Sequence, residues 1–121
     1  MMRALAGIGV PRALGFHAQQ AVEKLLKAAL ISYDVQPADT HSIGALVGQL
    51  HRWDRRLADS LGPVDRLTAY AVRLRYPPST GGEREVHDSR VAADAAIAAN
   101  ACEQLDAAIA ARLRAAEGDA D

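Results

Sequence analysis

Residues 15–33 read GFHAQQAVEKLLKAALISY, and this stretch decides the fold class. Most of its residues are Ala, Leu, Gln, Glu and Lys, which favour helices because they lose little rotamer freedom there. Apolar residues recur every three or four positions and form one stripe: Ala18, Val22, Leu25, Leu26, Ala29, Leu30 and Tyr33. The pattern predicts a long amphipathic helix from about Ala13 to Tyr33.

A second face of this helix is polar and rich in nitrogen, because His17, Gln20, Lys24 and Lys27 share it. Glu23 stands four residues before Lys27, which is the favourable order for an ion pair within a helix. Since a Lys ammonium can bind phosphate, the face is a candidate site for a nucleotide or an acidic partner. A solvated helix face explains the same spacing, and packing of Gln20 between subunits is a third interpretation.

The composition indicates one soluble domain. The 121 residues carry a formal net charge of −1, which argues against a generally basic nucleic-acid binder. Aromatic residues are only 4% of the chain, so the core is thin and would gain from burial in an oligomer. A single Cys102 excludes an internal disulfide and suits a reducing compartment. No apolar run is long enough to span a bilayer, and we expect a cytoplasmic protein without a membrane partner.

Two further helices are predicted in the middle of the chain. One begins near Thr40 or His41, with Asp39 or Thr40 as its cap, and ends before Gly62. The next covers about residues 64–74 and packs through Val64, Leu67, Ala71 and Leu74. The stripe of the first of these helices steps by three and four residues: Ile43, Leu46, Leu50, Trp53 and Leu57.

A long last helix is predicted from about Glu83 or His87 to Arg114. Its apolar seam is close to a heptad pattern: Val91, Ala95, Ala98, Cys102, Leu105, Ile109 and Leu113. The short connections favour antiparallel neighbours, so we predict an all-α, up-down bundle of about four helices. Residues 1–12, with two glycines and a proline, form a short N-terminal segment; residues 13–116 form the bundle, and residues 117–121 form a polar tail.

Three ordered motifs resemble the HEPN family, whose members are small helical modules linked to nucleotides and RNA. Residues 16–28 (FHAQQAVEKLLKA) closely resemble the signature helix of that family, and residues 37–41 with Leu46 resemble its Pro–Thr–His entry into the next helix. Residues 73–77 (RLRYP) resemble its Arg-Tyr-Pro helix end. The resemblance covers roughly residues 13–115. Family members usually begin with one more amphipathic helix, so we expect that this helix is lacking or that the protein starts upstream.

The resemblance does not extend to the family's ribonuclease motif, an Arg followed after four to six residues by a His near the last helices. Arg66, Arg73 and Arg75 have no His at that distance. The pair of Arg12 and His17 has the spacing, but it lies at the wrong end of the fold and is expected by chance. We therefore predict no catalytic residues, with His41 and Arg75 as the weak candidates.

The remaining candidates are Arg73, Arg75, Tyr76 and His41. An Arg can hold a phosphate bidentately, but near a helix C-terminus it also interacts favourably with the helix end. Histidine as a residue type suits acid–base work or a bond to phosphate, which makes His41 a candidate; a histidine bonded to nearby backbone is the simpler interpretation.

Other polar groups receive structural interpretations. Arg52, Arg55 and Arg56 are interpreted as a solvated face, because Asp54 and Asp59 dilute their charge. Cys102 reads as a small core residue. No spacing of His, Cys and carboxylates indicates a metal site, and no cofactor is expected.

The resemblance implies a nucleotide-binding or interaction module that forms a homodimer through its long helices. Its relatives commonly work beside a minimal nucleotidyltransferase in toxin–antitoxin-like pairs, so that protein is a possible partner, and a nucleotide or RNA is a possible ligand. Two alternatives stay open: a metal-independent ribonuclease toxin with an atypical Arg/His pair, and a helical dimer without a ligand.

Overall fold

The structure, a computed structural model, describes residues 9–70 and 88–120, with side chains for residues 13–70 and 90–118. All regular structure in these ranges is helical, and the all-α class is confirmed. The elements are α1 (Gly9–Ser32), α2 (Ile43–His51), α3 (Arg55–Ser60), a 3-10 turn η1 (Val64–Leu67) and α4 (Asp88–Ala120). None of the described helices combines the length and the apolar character that crossing a membrane requires.

Helix α1 begins at Gly9, four residues before the predicted start. Pro11 does not prevent this, because amides in the first turn of a helix have no acceptor within the helix. The predicted stripe packs as expected, with Val22, Leu26 and Leu30 fully buried. The helix ends where Asp34 adopts a positive φ of 63° and the amide of Val35 reaches back to the Leu30 carbonyl.

The predicted helix over residues 40–61 is interrupted, so that prediction was wrong in its middle. Helix α2 ends at His51, and the chain turns at residues 52–54 before α3. The Asp54 carboxylate accepts the Leu57 amide at 2.9 Å, which caps α3, and it also accepts the Tyr33 hydroxyl at 2.5 Å. Because the chain turns here, Trp53 leaves the core stripe and is 55% exposed.

The N-terminus of α2 is closed by side chains from two places in the chain. Ser42 caps it at the Ala45 amide, instead of the predicted Asp39 or Thr40. The Ile43 amide donates to Thr68 Oγ1, and the Gly44 amide donates to Asp65 Oδ1, both at 3.0 Å. A Cβ on Gly44 would lie 2.6 Å from Asp65 Oδ1, so this contact requires glycine.

The third predicted helix starts as η1 rather than as an α-helix. Alpha-helical geometry follows from Thr68 to Tyr70, the last residue of the first described range. Val64 and Leu67 are buried, as predicted. The other two packing positions, Ala71 and Leu74, lie outside the described residues.

Helix α4 packs on the core through most of the heptad seam that the sequence predicted, with Val91, Ala98 and Leu105 buried. Ala95 and Leu113 are exposed, while Cys102 and Ile109 are half-buried. Asp94 and Ala101 are buried in addition, so the buried face is rotated toward these two residues and leaves Ala95 outside it. The buried positions are Val91, Asp94, Ala98, Ala101 and Leu105.

The predicted polar tail is helical, because α4 continues to Ala120. Residues 111–117 read ARLRAAE, and Ala, Arg, Leu and Glu are all strong helix formers. Helix propensity therefore extends the last helix six residues past the predicted end at Arg114.

Two helix pairs depart from the antiparallel arrangement that short connections predict. Contacts between α1 and α4 advance along both helices together: Gly15 lies against Tyr70, which bonds Asp94, and Ser32 accepts from Arg112. Helix α2 also runs in the same direction as α1, because His41 before α2 contacts Glu23 and Asp54 after it contacts Tyr33. The connection over residues 34–42 therefore carries the chain back along α1 and places His41 beside the middle of that helix.

Candidate functional site

Glu23 is the centre of a polar cluster between α1 and the start of α2. Its side chain is 7% exposed and receives hydrogen bonds from three sides. Gln19 Nε2 donates to Oε1 at 2.7 Å, and Lys27 Nζ lies 3.0 Å from Oε2. His41 Nδ1 lies 3.1 Å from Oε2 and 3.3 Å from Oε1. The predicted pair of Glu23 and Lys27 is thus confirmed, but it belongs to a larger cluster.

The cluster keeps Glu23 ionised. Burial disfavours the charged form, but hydrogen bonds from Lys27, Gln19 and His41, with the charge of Lys27, outweigh burial and lower the pKa of Glu23. An ionised carboxylate can only accept hydrogen bonds, so His41 Nδ1 must carry a hydrogen. The position of the proton on the imidazole ring is therefore set by Glu23.

The ring of His41 is exposed on its other side. The side chain is 59% exposed, and Nε2 contacts no polar group among the described residues. The backbone beneath it is held by the Ser42 amide, which donates to Thr40 Oγ1 at 3.0 Å, and by the closed N-terminus of α2. His41 thus offers Nε2 to solvent from a fixed position.

The other residues of the predicted polar face divide into two groups. Lys27 joins His41 at Glu23, and Gln20 Nε2 reaches the cluster by donating to Gln19 Oε1 at 2.8 Å. His17 and Lys24 are exposed and lie outside the cluster, with the ring of His17 5.8 Å from that of Phe16. The candidates Arg73, Arg75 and Tyr76 lie outside the described residues.

Gln19 and Glu23 themselves were not identified as site residues from the sequence. Both are buried, although Gln and Glu are usually exposed. A signal was present: Gln19, Glu23 and Lys27 follow each other at intervals of four, so they form one row along α1, beside the apolar stripe. A row of polar groups that borders a core stripe is where a buried cluster forms.

A second buried carboxylate, Asp94 on α4, was also missed. It accepts the Tyr70 hydroxyl at 2.5 Å, and Arg66 Nε lies 2.8 Å from its Oδ1 as an ion pair. The ring of Tyr70 packs directly on Gly15, where a Cβ would overlap the ring. This cluster joins η1 and the residues after it to α1 and α4.

The described residues offer no metal site, since no three His, Cys, Asp or Glu side chains converge there. Cys102 is half-buried, and burial, with the charge of Asp106, raises the pKa of its thiol. A thiol in that state is a poor nucleophile. The chemistry available at the Glu23 cluster is therefore that of His41 and Lys27: proton transfer at Nε2, or binding of an anion.

Comparison with known proteins identifies one family. A family model described as HEPN domain matches residues 2–105. No curated protein and no solved structure matches the chain significantly.

Proposed function

The chain belongs to the HEPN domain family, whose modules are related to nucleotides and RNA, and from this premise we propose that it binds a nucleotide or RNA phosphate at His41 and Lys27. The observation that carries the proposal is the hydrogen bond between Glu23 and His41 Nδ1. It orients an exposed imidazole and leaves Nε2 available beside an ammonium group.

The two side chains would act in complementary ways. A protonated His41 donates from Nε2 to a phosphate oxygen, and Lys27 adds a positive charge that is 30% exposed. Glu23 neutralises part of this charge, but its main contribution is to hold both groups in place before the ligand arrives. Preorganisation of this kind improves affinity because less side-chain entropy is lost on binding.

Equilibrium titration with ATP, GTP and their diphosphates tests the proposal. His41→Ala is expected to weaken binding by roughly tenfold, the value of one charge-assisted hydrogen bond. His51→Ala is the matched control, because His51 is 44% exposed and lies near Asp59, away from the Glu23 cluster. Equal affinities for the two variants, or no binding at millimolar nucleotide, would overturn the proposal.

We also propose that the chain works in the cytoplasm as a homodimer with a small nucleotidyltransferase, in a toxin–antitoxin-like pair. Ile31 on α1 and Leu113 on α4 are about 60% exposed, which supports an interface on the two long helices. Light scattering should give twice the chain mass, and co-expression with a minimal nucleotidyltransferase should yield a complex. A monomer at high micromolar concentration contradicts the first claim, and separate elution contradicts the second.

Metal-independent RNA cleavage is the second candidate, and the same hydrogen bond favours it. Here His41 Nε2 would take the proton of a ribose 2′-hydroxyl, whose oxygen attacks the adjacent phosphorus, and the bond to the 5′-oxygen breaks as that oxygen takes a proton from water. Arg75 is the proposed phosphate holder of the atypical pair. RNA incubated with the protein in chelator should be cleaved, and His41→Ala and Arg75→Ala should each abolish cleavage; intact RNA leaves binding as the function.

A further inference from the structure

The turn between α2 and α3 presents an aromatic side chain among arginines. Trp53 is 55% exposed, and Arg52, Arg55 and Arg56, which surround it in the chain, are exposed as well. A tryptophan on a core stripe is normally buried, so its position on the surface is the first sign that this turn contacts something else.

The arginines around Trp53 have no carboxylate partner among the described residues. Asp54 and Asp59, which were expected to dilute the charge of these arginines, contact other groups instead. Asp54 accepts the Tyr33 hydroxyl and the Leu57 amide, and Asp59 lies 3.6 Å from His51 Nε2. Within residues 13–70 and 90–118, these three guanidinium groups thus form no ion pair.

The turn is also well ordered by its own hydrogen bonds. The amides of Trp53 and Asp54 both donate to the Leu50 carbonyl, at 2.9 and 2.8 Å, and Asp54 caps α3. Arg112 Nη2 donates to the Ser32 carbonyl, and its guanidinium stacks 3.5 Å from the ring of Tyr33, which fixes the Tyr33 hydroxyl that holds Asp54. The indole is therefore presented from a rigid support rather than from a flexible loop.

An open groove continues from this turn between α3 and α4. It has a volume of about 320 Å³, and it is lined by four polar residues and three apolar ones: Asp54, Arg56, Ser60, Gln104, Leu57, Ala107 and Ala108. Arg56 belongs both to the arginine set and to the groove wall, so a bound chain in contact with the turn could extend along the groove.

We propose that Trp53 and its three arginines bind a single-stranded nucleic acid, with a base stacked on the indole and the arginines on the flanking phosphates. Exposed aromatic rings bind bases without regard to sequence, and arginines neutralise the backbone. The proposal rests on the function proposed above and adds a second contact: Trp53 reads the face of a base, whereas His41 and Lys27 bind phosphate.

Trp53 is the chain's single tryptophan, so its fluorescence reports directly on stacking. The whole chain is titrated with decamers of oligouridylate RNA and oligothymidylate DNA, and with inorganic polyphosphate of equal charge. We expect the oligonucleotides to quench the fluorescence and the polyphosphate to leave it unchanged, because polyphosphate carries no base. Equal quenching by polyphosphate, or none by either oligonucleotide, would overturn the proposal.

Binding of labelled oligonucleotides by variants gives the second readout. Trp53→Ala should weaken binding roughly 5- to 150-fold, and Trp53→Phe should retain most of it, while Leu14→Ala, an exposed apolar control, should change nothing. Arg55→Ala should reduce the slope of log affinity against log salt by about 0.7, and the exposed Arg114→Ala should not. Unchanged affinity for Trp53→Ala refutes the inference.

The two proposals fail separately. Mononucleotide binding that depends on His41, with oligonucleotide binding indifferent to Trp53, refutes the stacking surface alone. Fluorescence quenching by oligonucleotides without any mononucleotide binding refutes the phosphate site alone. Equal affinity of the protein for the RNA and DNA decamers indicates recognition of base and backbone only. A higher affinity for the RNA decamer indicates an additional contact to the 2′-hydroxyl.

Discussion

Glu23 and Asp94 are both carboxylates buried between helices, yet they serve different ends. Glu23 bonds Lys27 and His41, two side chains that reach solvent and can carry charge. Asp94 bonds the hydroxyl of Tyr70, which is buried against Gly15. Lys27 and His41, the partners of Glu23, are exposed to solvent in part. Tyr70, the main partner of Asp94, is buried in the core.

This difference indicates that Glu23 belongs to the proposed binding site, whereas Asp94 stabilises the fold. A buried carboxylate is costly in either place and persists only when its partners compensate it. At Asp94 the compensation links η1, α1 and α4, so its loss should appear in stability. At Glu23 part of the compensation orients His41, so its loss should appear in binding and in the dependence on pH.

The largest effect is expected at Gly15, on the Asp94 side of the comparison. Gly15→Ala adds a Cβ that overlaps the Tyr70 ring, which is confined between α1 and Asp94, and should lower the free energy of unfolding by about 3 kcal/mol. Urea denaturation measures this. Gly48→Ala is the control, because a Cβ there meets nothing within 4 Å; it should raise stability by about 0.5–1 kcal/mol. A neutral Gly15→Ala would mean that the Tyr70 packing is loose.

The next effect is expected for Asp94→Ala, which removes the acceptor of the Tyr70 hydroxyl and the charge beside Arg66. Stability should fall by about 2 kcal/mol, the range for a charged hydrogen bond inside a protein. Nucleotide affinity should stay the same once the folded fraction is taken into account. A fall in nucleotide affinity as well would show that Asp94 also affects binding, and that the two carboxylates do not have separate roles.

The smallest effect on stability is expected for Glu23→Gln, about 1.5 kcal/mol at pH 7. Because the folded pKa of Glu23 lies below its ordinary value of 4.5, the carboxylate stabilises the fold fully above pH 4.5, and this contribution is lost as pH falls through the folded pKa. The stability difference between wild type and variant should therefore shrink below pH 4.5. The exposed Glu103→Gln is the control and should show no such trend.

Much of the fold could be predicted from local pattern, and its errors have physical causes. The apolar stripe of α1 lies in one unbroken helix and repeats every 3.6 residues, so it can be identified from the sequence alone. The interruption at residues 52–54 depends on Tyr33, 21 residues away, whose hydroxyl favours Asp54 as a cap. The burial of Asp94 and Ala101 in place of Ala95 depends on the neighbours that α4 packs against, which a heptad count does not include.

The site was predictable only in part for the same reason. His41 and Lys27 were identified separately from residue type and from the family motif. That they share one carboxylate follows from the backward course of residues 34–42, which no spacing in the sequence encodes. Trp53 was assigned to the core because its spacing fitted the stripe, although a turn, rather than a helix, carries it.

The cap of α2 has a consequence for the order in which this chain acquires structure. A nine-residue helix is too short to persist alone in water, and two of its first amides are bonded by residues that follow more than 20 positions later. During synthesis, these two amides therefore meet their acceptors only after Asp65 and Thr68 have left the ribosome. Completion of the N-terminus of α2 is then coupled to the docking of η1, and the segment that carries His41 gains this support later than it emerges.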